Sequence, residues 1–222
     1  GVLKLVGAPI NNSDDISLTV PFTKINYFMS RKTGEGVSFF DDTFESLLHF
    51  NSLDYELRHD QMLFTGNIKE TGIGFRYGRA MFAAMAKMDK KRPPDFISNT
   101  HPPFYTYSQQ ARYRYILSLS GGGAWTFYRM YAFLTGSLIF CQDGPQKLWY
   151  YDYFKPMIHF VPVKEDLSDL KEKLMWARKN PEEAARIARS SRTLAKSIFH
   201  PDVVLNEFKV RILNGIIKEQ LE

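Results

Sequence analysis

Short apolar runs alternate with amphipathic segments through the second half of the chain. The runs have the length of buried strands, and the segments between them repeat apolar residues every three or four positions, as helices do. The predicted strands are Tyr113–Leu119, Gly136–Cys141 and Ile158–Val163. The predicted helices begin near Ala124 or Trp125 and then span Asp166–Arg178, Pro181–Phe199 and Asp202–Leu221. This alternation predicts an α/β fold with a parallel sheet, whose ligands bind at the carboxyl ends of the strands.

The first hundred residues show a weaker pattern of short strands and loops. Helices are predicted near Asp42–Phe50 and from about Phe75 to Lys87. Residues 90–103 contain four prolines and few periodic apolar residues, so they are the best candidate for a linker or for a loop over the site. We therefore predict two units, residues 1–103 and residues 104–222.

A run of three glycines follows the first predicted strand. Glycine permits positive φ and close backbone approach, and the helix that follows would direct unpaired N–H groups and the positive end of its dipole at an anion. An arginine about one turn into that helix adds a charge that pairs well with phosphate. A plain tight turn explains the glycines equally well. The candidate anion-binding residues here are Gly122, Gly123, Ala124, Trp125, Thr126 and Arg129.

The composition supports an ordinary globular core and an anionic partner. Of the 222 residues, 44% are hydrophobic and 15% aromatic, and the formal net charge is +5. The densest basic run joins Lys87, Lys90, Lys91 and Arg92, for which a solvated loop is the favoured interpretation. Aromatic residues are not interleaved with this run, as stacking on bases requires, so nucleic acid is not predicted as a partner.

The numbers and spacing of the cysteine and histidine residues argue against a disulfide bond and against a metal site. Cys141 is the only cysteine, so no intramolecular disulfide can form, and its apolar surroundings predict a buried, inert thiol. With no signal peptide or apolar run of membrane-spanning length, we expect no membrane span and a cytoplasmic, reducing compartment. The five histidines show no metal-ligand spacing, so no metal is predicted. His159 lies in a predicted strand, and a hydrogen-bonded core histidine is the favoured interpretation.

Several sequence blocks together resemble a known family. In chain order the strongest are Tyr113–Leu117, the glycine run with Arg129, Gly136–Phe140, Leu148–Tyr151, Lys155-Pro156, His159–Val163 and Asp166–Leu170. Weaker blocks upstream are Asp15-Ile16 ahead of Pro21, Thr33–Gly36, and Leu63–Asn67 followed by Thr71, Gly72 and Arg76. These blocks are similar to glycosyltransferase family 90, the family of the Rumi-type protein O-glucosyltransferases and the fungal capsule-associated xylosyltransferases.

The resemblance implies a fold and an activity. The fold would be two-lobed and of the GT-B type, with residues 1–103 as the acceptor-side lobe and a Rossmann-like nucleotide-binding lobe that ends in long helices. The activity would be an inverting transfer of xylose or glucose from a UDP-sugar to a hydroxyl of a glycan or glycoprotein. The family generally uses cationic side chains and a helix dipole in place of a metal, so no cofactor is expected beyond the UDP-sugar. The single cysteine disfavours a disulfide-rich protein acceptor.

The resemblance also suggests roles for particular residues. Arg76, Arg129 and the N–H groups of the glycine run would stabilise the departing diphosphate, and Gly66 and Asn67 would line the donor site. Asp143 would accept a hydrogen bond from a ribose or sugar hydroxyl, with a structural turn as the alternative. The candidates for the catalytic base are Asp15 and Asp14, and a turn or cap is the alternative for both.

The chain departs from the family pattern at three positions. Thr65 stands where the family usually has arginine, Asn67 stands in for its serine, and Val37 falls where Rumi-type members place a further donor-binding arginine. These departures keep a second interpretation open, a catalytically degenerate member that binds a nucleotide sugar or glycan without turnover.

Overall fold

A computed structural model of the chain describes residue 47 and residues 54–66, 76–101, 104–119, 127–142, 150–200, 202–204, 206–207 and 209–210. Among these residues the strands are β1 (His59–Thr65), β2 (Phe96–Asn99), β3 (Tyr113–Ser118), β4 (Leu138–Gln142) and β5 (Val161–Val163). The helices are α1 (Arg76–Met88), α2 (Tyr107–Gln110), α3 (Phe127–Leu134), α4 (Leu170–Lys179) and α5 (Pro181–Ile198), and a 3-10 turn at Tyr55–Leu57 precedes β1. The predicted α/β class with a parallel sheet is confirmed.

The five described strands form one parallel sheet in the order β2-β1-β3-β4-β5. The boundary predicted at residue 103 falls inside this sheet, because β1 and β2 precede it and β3 to β5 follow it. The predicted linker at residues 90–103 contains β2. A strand of only four residues between two pairs of prolines gives too little alternation to be recognised. Among the described residues, then, no separate sheet lies on each side of residue 103.

The sheet is covered by apolar residues on both faces. Along β3, Tyr115 and Leu117 pack into one cluster, while Ile116 packs into the other. Along β4, Phe140 joins the first cluster and Cys141 the second. Since successive side chains of a strand point to opposite faces, the two clusters lie on opposite sides of the sheet. The strands therefore read as nearly continuous apolar runs, as expected for a parallel sheet that is buried on both faces.

Helices complete both clusters. Phe82 of α1 and Leu174 of α4 belong to the first cluster, and Phe133 of α3 belongs to the second. The long helix α5 reaches both, through Ile187 in the first cluster and Ile198 in the second. The described residues thus form three layers, with α1 and α3 on opposite faces of the sheet. No helix among them is long and apolar enough to cross a membrane.

Two predicted boundaries shift for identifiable backbone reasons. The strand predicted from Gly136 starts at Leu138, because Gly136 has a φ of +74° and closes α3 in the left-handed conformation that favours glycine. The helix predicted from Asp166 starts at Leu170, because Leu167 has a φ of +56° and cannot belong to a helix. A third boundary shifts as well: the strand predicted from Ile158 starts at Val161, because Ile158 N and His159 N donate to the carbonyl oxygen of Lys155 and close a turn before it. The strand predicted from Tyr113 and the helices predicted from Phe75 and Pro181 lie within a residue of their expected bounds.

Ion pairs hold α4 against the amino-terminal ends of β1 and β2. Arg178 Nη1 donates to Asp95 Oδ1 at 2.7 Å, and Arg178 Nε donates to Asp60 Oδ1 at 3.2 Å. Lys91 also pairs with Asp95. Burial by itself would raise the pKa of Asp95, but the hydrogen bonds from Lys91 and Arg178 outweigh it and hold this pKa below its ordinary value of 3.8.

Acid is expected to destabilise the fold through Asp95. Because its pKa is lower in the folded state than in the unfolded chain, the stability that Asp95 contributes is present above pH 3.8 and is lost as the pH falls through the folded-state pKa. Asp95→Asn should therefore flatten the fall in unfolding free energy below about pH 5, measured by urea denaturation at several pH values. The matched variant Asp152→Asn changes an exposed aspartate and should keep the wild-type slope. Equal slopes in both variants would contradict this assignment.

Candidate functional site

The strand order creates a crevice between the carboxyl ends of β1 and β3. From β1 the chain passes through α1 to β2 on one side, and from β2 it returns past β1 to β3 on the other. Helices α1 and α3 accordingly cover opposite faces and separate at this point. In open α/β sheets, ligands bind at such a switch point, outside the carboxyl ends of the strands. The ligand site that the sequence predicts at this edge would therefore lie beside Gly66 and Leu119.

Asn99 joins the ends of two strands at this edge. Its side-chain Oδ1 accepts hydrogen bonds from Thr65 Oγ1 at 2.6 Å and from Tyr105 N at 2.8 Å. Its carbonyl oxygen accepts from Gly66 N at 3.1 Å. Gly66 has a φ of +148°, and a Cβ there would lie 3.3 Å from the ring of Phe64. These contacts fix the direction in which the chain leaves β1.

Removing the amide of Asn99 should loosen this edge. Asn99→Ala leaves the hydroxyl of Thr65 and the N–H of Tyr105 without that acceptor, so we expect the unfolding free energy to fall by about 2 kcal/mol. Thr65→Val removes a single bond and should cost about 1 kcal/mol. Urea denaturation measures both, with the exposed Asn206→Ala, which should change the unfolding free energy by no more than about 0.5 kcal/mol, as the control. An equal, small loss in all three variants would show that Asn99 does not fix this edge.

The amino-terminal part of α1 lies across the same edge. A Cβ at Gly78 would come within 2.5 Å of Gln142 Nε2, which itself donates to the carbonyl oxygen of Glu165 at 2.6 Å. The guanidinium carbon of Arg79 lies 5.8 Å from the ring centroid of Phe64. Because Gln142 ends β4 and Phe64 is near the end of β1, the first turns of α1 direct positive partial charge towards the crevice. Sequence reasoning missed Arg79, Gln142 and Asn99, and of these only Gln142 directly follows a predicted element, the strand Gly136–Cys141.

The described residues include few of the predicted site residues. Gly66 lies at the crevice, and the backbones of Arg76 and Arg129 belong to α1 and α3. The remaining candidates lie outside the described residues: Asp14, Asp15, Asn67, Gly122, Gly123, Ala124, Trp125, Thr126 and Asp143. Even so, several of them come directly after described strands in the sequence. Asn67 follows β1, the glycine run follows β3 and Asp143 follows β4, and these three strands are neighbours in the sheet.

Two residues are placed outside this crevice. His159 Nδ1 accepts a hydrogen bond from Lys155 N at 2.9 Å, and its ring meets Phe154 edge-on at 5.7 Å, so the predicted hydrogen bond is present, but the residue lies in a turn before β5 and is only partly buried. Burial lowers the pKa of His159, and the charges of Arg186 and Lys155 lower it further, so the ring is neutral at neutral pH. Cys141 is buried, as predicted. Among the described residues, no group of three or more histidine, cysteine, aspartate or glutamate side chains could hold a metal ion.

A parallel sheet covered by helices on both faces, with a switch point in its strand order, defines an open α/β protein. The family model "Glycosyl transferase family 90" matches residues 83–214, more than half of the chain. The chain therefore belongs to glycosyl transferase family 90, and the resemblance that was inferred from the sequence blocks is confirmed.

Curated relatives match about two fifths of the chain. Protein O-glucosyltransferase 3 of Homo sapiens is 38% identical over 90 residues, which are 40% of this chain and 18% of that protein. Protein O-glucosyltransferase 2 of Danio rerio is 34% identical over 94 residues, which are 42% of this chain and 18% of that protein. The crystal structure of Anabaena Alr3699/HepE in complex with UDP-glucose aligns with a TM-score of 0.47 and 8% identity, over 74% of this chain and 56% of that one. The chain thus matches less than a fifth of the length of these two curated relatives.

The predicted cytoplasmic, reducing compartment is wrong. The relatives that the chain matches are protein O-glucosyltransferases, which act in the secretory pathway. The single cysteine excludes an intramolecular disulfide within these 222 residues, and it carries no information about the compartment. A buried thiol such as that of Cys141 is stable in an oxidising compartment as well, because it has no neighbouring thiol and no access to solvent.

Proposed function

We propose that the chain forms the donor-binding part of a UDP-sugar-dependent glycosyltransferase, which transfers glucose or xylose to a hydroxyl of a glycan or glycoprotein. The observation that supports this most strongly is the adjacency of the three strands that candidate donor residues follow in the sequence. These residues follow the carboxyl ends of β1, β3 and β4, three neighbouring strands around the switch point, in a member of glycosyl transferase family 90. The names of the relatives that the chain matches support a glucosyl donor.

The proposed chemistry is a single displacement at the anomeric carbon. The acceptor oxygen forms a bond to this carbon as the bond to the UDP oxygen breaks, which inverts the configuration. Negative charge builds on the departing diphosphate, where Arg76, Arg129 and the N–H groups of the glycine run stabilise it without a metal. Asp15, with Asp14 as the second candidate, takes the proton of the acceptor hydroxyl. Asp143 and Asn67 hold hydroxyl groups of the donor.

Calorimetric titration of the purified chain with UDP, UDP-glucose and UDP-xylose tests this proposal, followed by an assay for transfer or hydrolysis of the donor. Saturable binding with a preference for one of the two sugars is the expected result. Neither binding nor turnover of any UDP-sugar would overturn the proposal.

One observation favours the second candidate function, a catalytically degenerate member that binds the donor without turnover. Thr65 stands in place of the family's usual arginine, is only 6% exposed, and uses its hydroxyl to bond Asn99. A cation is therefore absent from this position, and stabilisation of the leaving group would depend on the other arginines. Binding of UDP-glucose without transfer or hydrolysis would support this candidate over the first.

A further inference from the structure

A surface rich in methionine lies between α1 and α4. Met85 and Met88 share one face of α1, and Met175 of α4 lies across from them, so three of the eight methionines of the chain line the space between the two helices. Met88 is 71% exposed and Met175 is 44% exposed. Between the two helices is a pocket of about 320 Å³, floored by Phe96 and bounded by both of these methionines. We call this pocket the methionine groove.

Hydrogen bonds and ion pairs fix the walls of the methionine groove. Asp89, just after α1, accepts from Asp95 N at 2.6 Å and from Phe96 N at 3.2 Å, which ties the end of α1 to the start of β2. Arg178 ties α4 to Asp95 and Asp60. Both helices are therefore anchored to the sheet, and the groove exists without a ligand to form it.

The charge at the rim of the groove is positive. The two aspartates that line it, Asp89 and Asp95, are already engaged by the backbone N–H groups, Lys91 and Arg178. Lys90 and Lys171 also line the pocket and are exposed, and neither forms an ion pair with another described residue. A partner that reaches the rim therefore meets lysines whose charge is not neutralised by a neighbouring carboxylate of the described chain.

The groove lies at the opposite end of the sheet from the candidate donor site. It is lined by Asp95 and Phe96 at the start of β2, whereas the crevice is at the carboxyl ends of β1 and β3. Because all five described strands are parallel, these two sites are at opposite edges of the sheet. The occupant of the groove is therefore not the nucleotide sugar.

We propose that the methionine groove binds an acidic amphipathic helix of another protein. Flexible, polarisable methionine side chains adapt to the apolar face of such a helix, which is how promiscuous helix-binding grooves work. Lys90 and Lys171 select acidic residues on the flanks of the helix. A pocket of about 320 Å³ has room for one or two apolar side chains of such a helix.

Methyl NMR of the whole chain with carbon-13-labelled methionine tests the proposal directly. The probe is a synthetic helical peptide with leucines along one face and glutamates along the other, and its counterpart carries lysines in place of the glutamates. The acidic peptide should shift the methyl signals of Met85, Met88 and Met175 and leave that of the fully buried Met62 unchanged. Binding should weaken as the salt concentration rises from about 0.05 to 0.5 M.

Matched variants separate the groove from the rest of the surface. Met88→Gln should weaken binding of the acidic peptide about tenfold, and Lys171→Glu about threefold. Val203→Gln and Lys209→Glu change similarly exposed side chains elsewhere and should have no effect. Absence of binding up to about 1 mM peptide, equal binding of the lysine peptide, or binding to phosphatidylserine vesicles in place of the peptide would overturn the proposal.

Discussion

Arg129→Ala is expected to weaken UDP-sugar binding by about 10- to 100-fold, because a charge-assisted hydrogen bond to a phosphate contributes about 1.5–3 kcal/mol. β3 ends at Ser118 and α3 covers Phe127–Leu134, so only residues 119–126 separate the strand from the helix. A connection of this length keeps the amino end of α3 at the carboxyl edge of the sheet, beside the switch point. Arg129 lies in the first turn of α3, where a phosphate also meets the positive end of the helix dipole.

Calorimetry with UDP and UDP-glucose measures this loss, and thermal unfolding of the variant checks that the fold is kept. Arg189→Ala is the matched control, since it removes an exposed arginine of α5 and should bind as the wild type does. Arg129→Lys should recover only part of the affinity, because lysine cannot form the paired hydrogen bonds of a guanidinium. Unchanged binding by Arg129→Ala would mean that the glycine run is only a turn, and the donor site would have to lie elsewhere.

Phe140→Ala should have the largest effect on stability, about 3–5 kcal/mol. Phe140 is fully buried at the middle of β4 and meets the ring of Tyr115 edge-on, with ring centroids 5.9 Å apart. Its truncation removes apolar area from the first cluster and leaves a cavity between anchored strands that cannot close. Since whole domains are stable by only about 5–15 kcal/mol, the variant is expected to unfold at a markedly lower urea concentration.

Phe104→Ala supplies the control for this experiment. Phe104 is 43% exposed and lies outside both core clusters, so its truncation should change the unfolding free energy by no more than about 0.5 kcal/mol. A loss at Phe140 no larger than that at Phe104 would contradict the packing of β4 described above.

Sequence reasoning succeeded where an element is long and apolar. The strand at Tyr113–Leu119 and the helix from Pro181 were predicted almost to the residue, because burial on both faces leaves an unbroken apolar run and a proline fits the first turn of a helix. It failed for β2, which is four residues long and lies between prolines. The residue just before the helix from Pro181, Asn180, does not cap it with its side chain, because its amide donates back to the carbonyl of Trp176 at the end of α4.

Within the candidate site, the glycine run was predicted from its conformational freedom and Gly66 from the resemblance to the family, and the family itself was recognised from the order of its blocks. The sequence could not identify Asn99, because the side-chain oxygen of Asn99 has a structural role only after folding brings Thr65 and Tyr105 within hydrogen-bond distance of it. It could not identify Arg79 either, since its position follows from the packing of Gly78 against Gln142.

By itself, the sequence determined the α/β class, the glycines and polar residues that follow each strand, and membership of glycosyl transferase family 90. Local periodicity and the order of motifs are properties of the chain alone. Only the tertiary structure decided which strands are neighbours. The order β2-β1-β3-β4-β5 places the ends of β1, β3 and β4 side by side, although Gly66 and Gln142 are far apart in the chain. Pairing between distant strands is set by the burial of both faces of the sheet at once, and no local pattern encodes that choice.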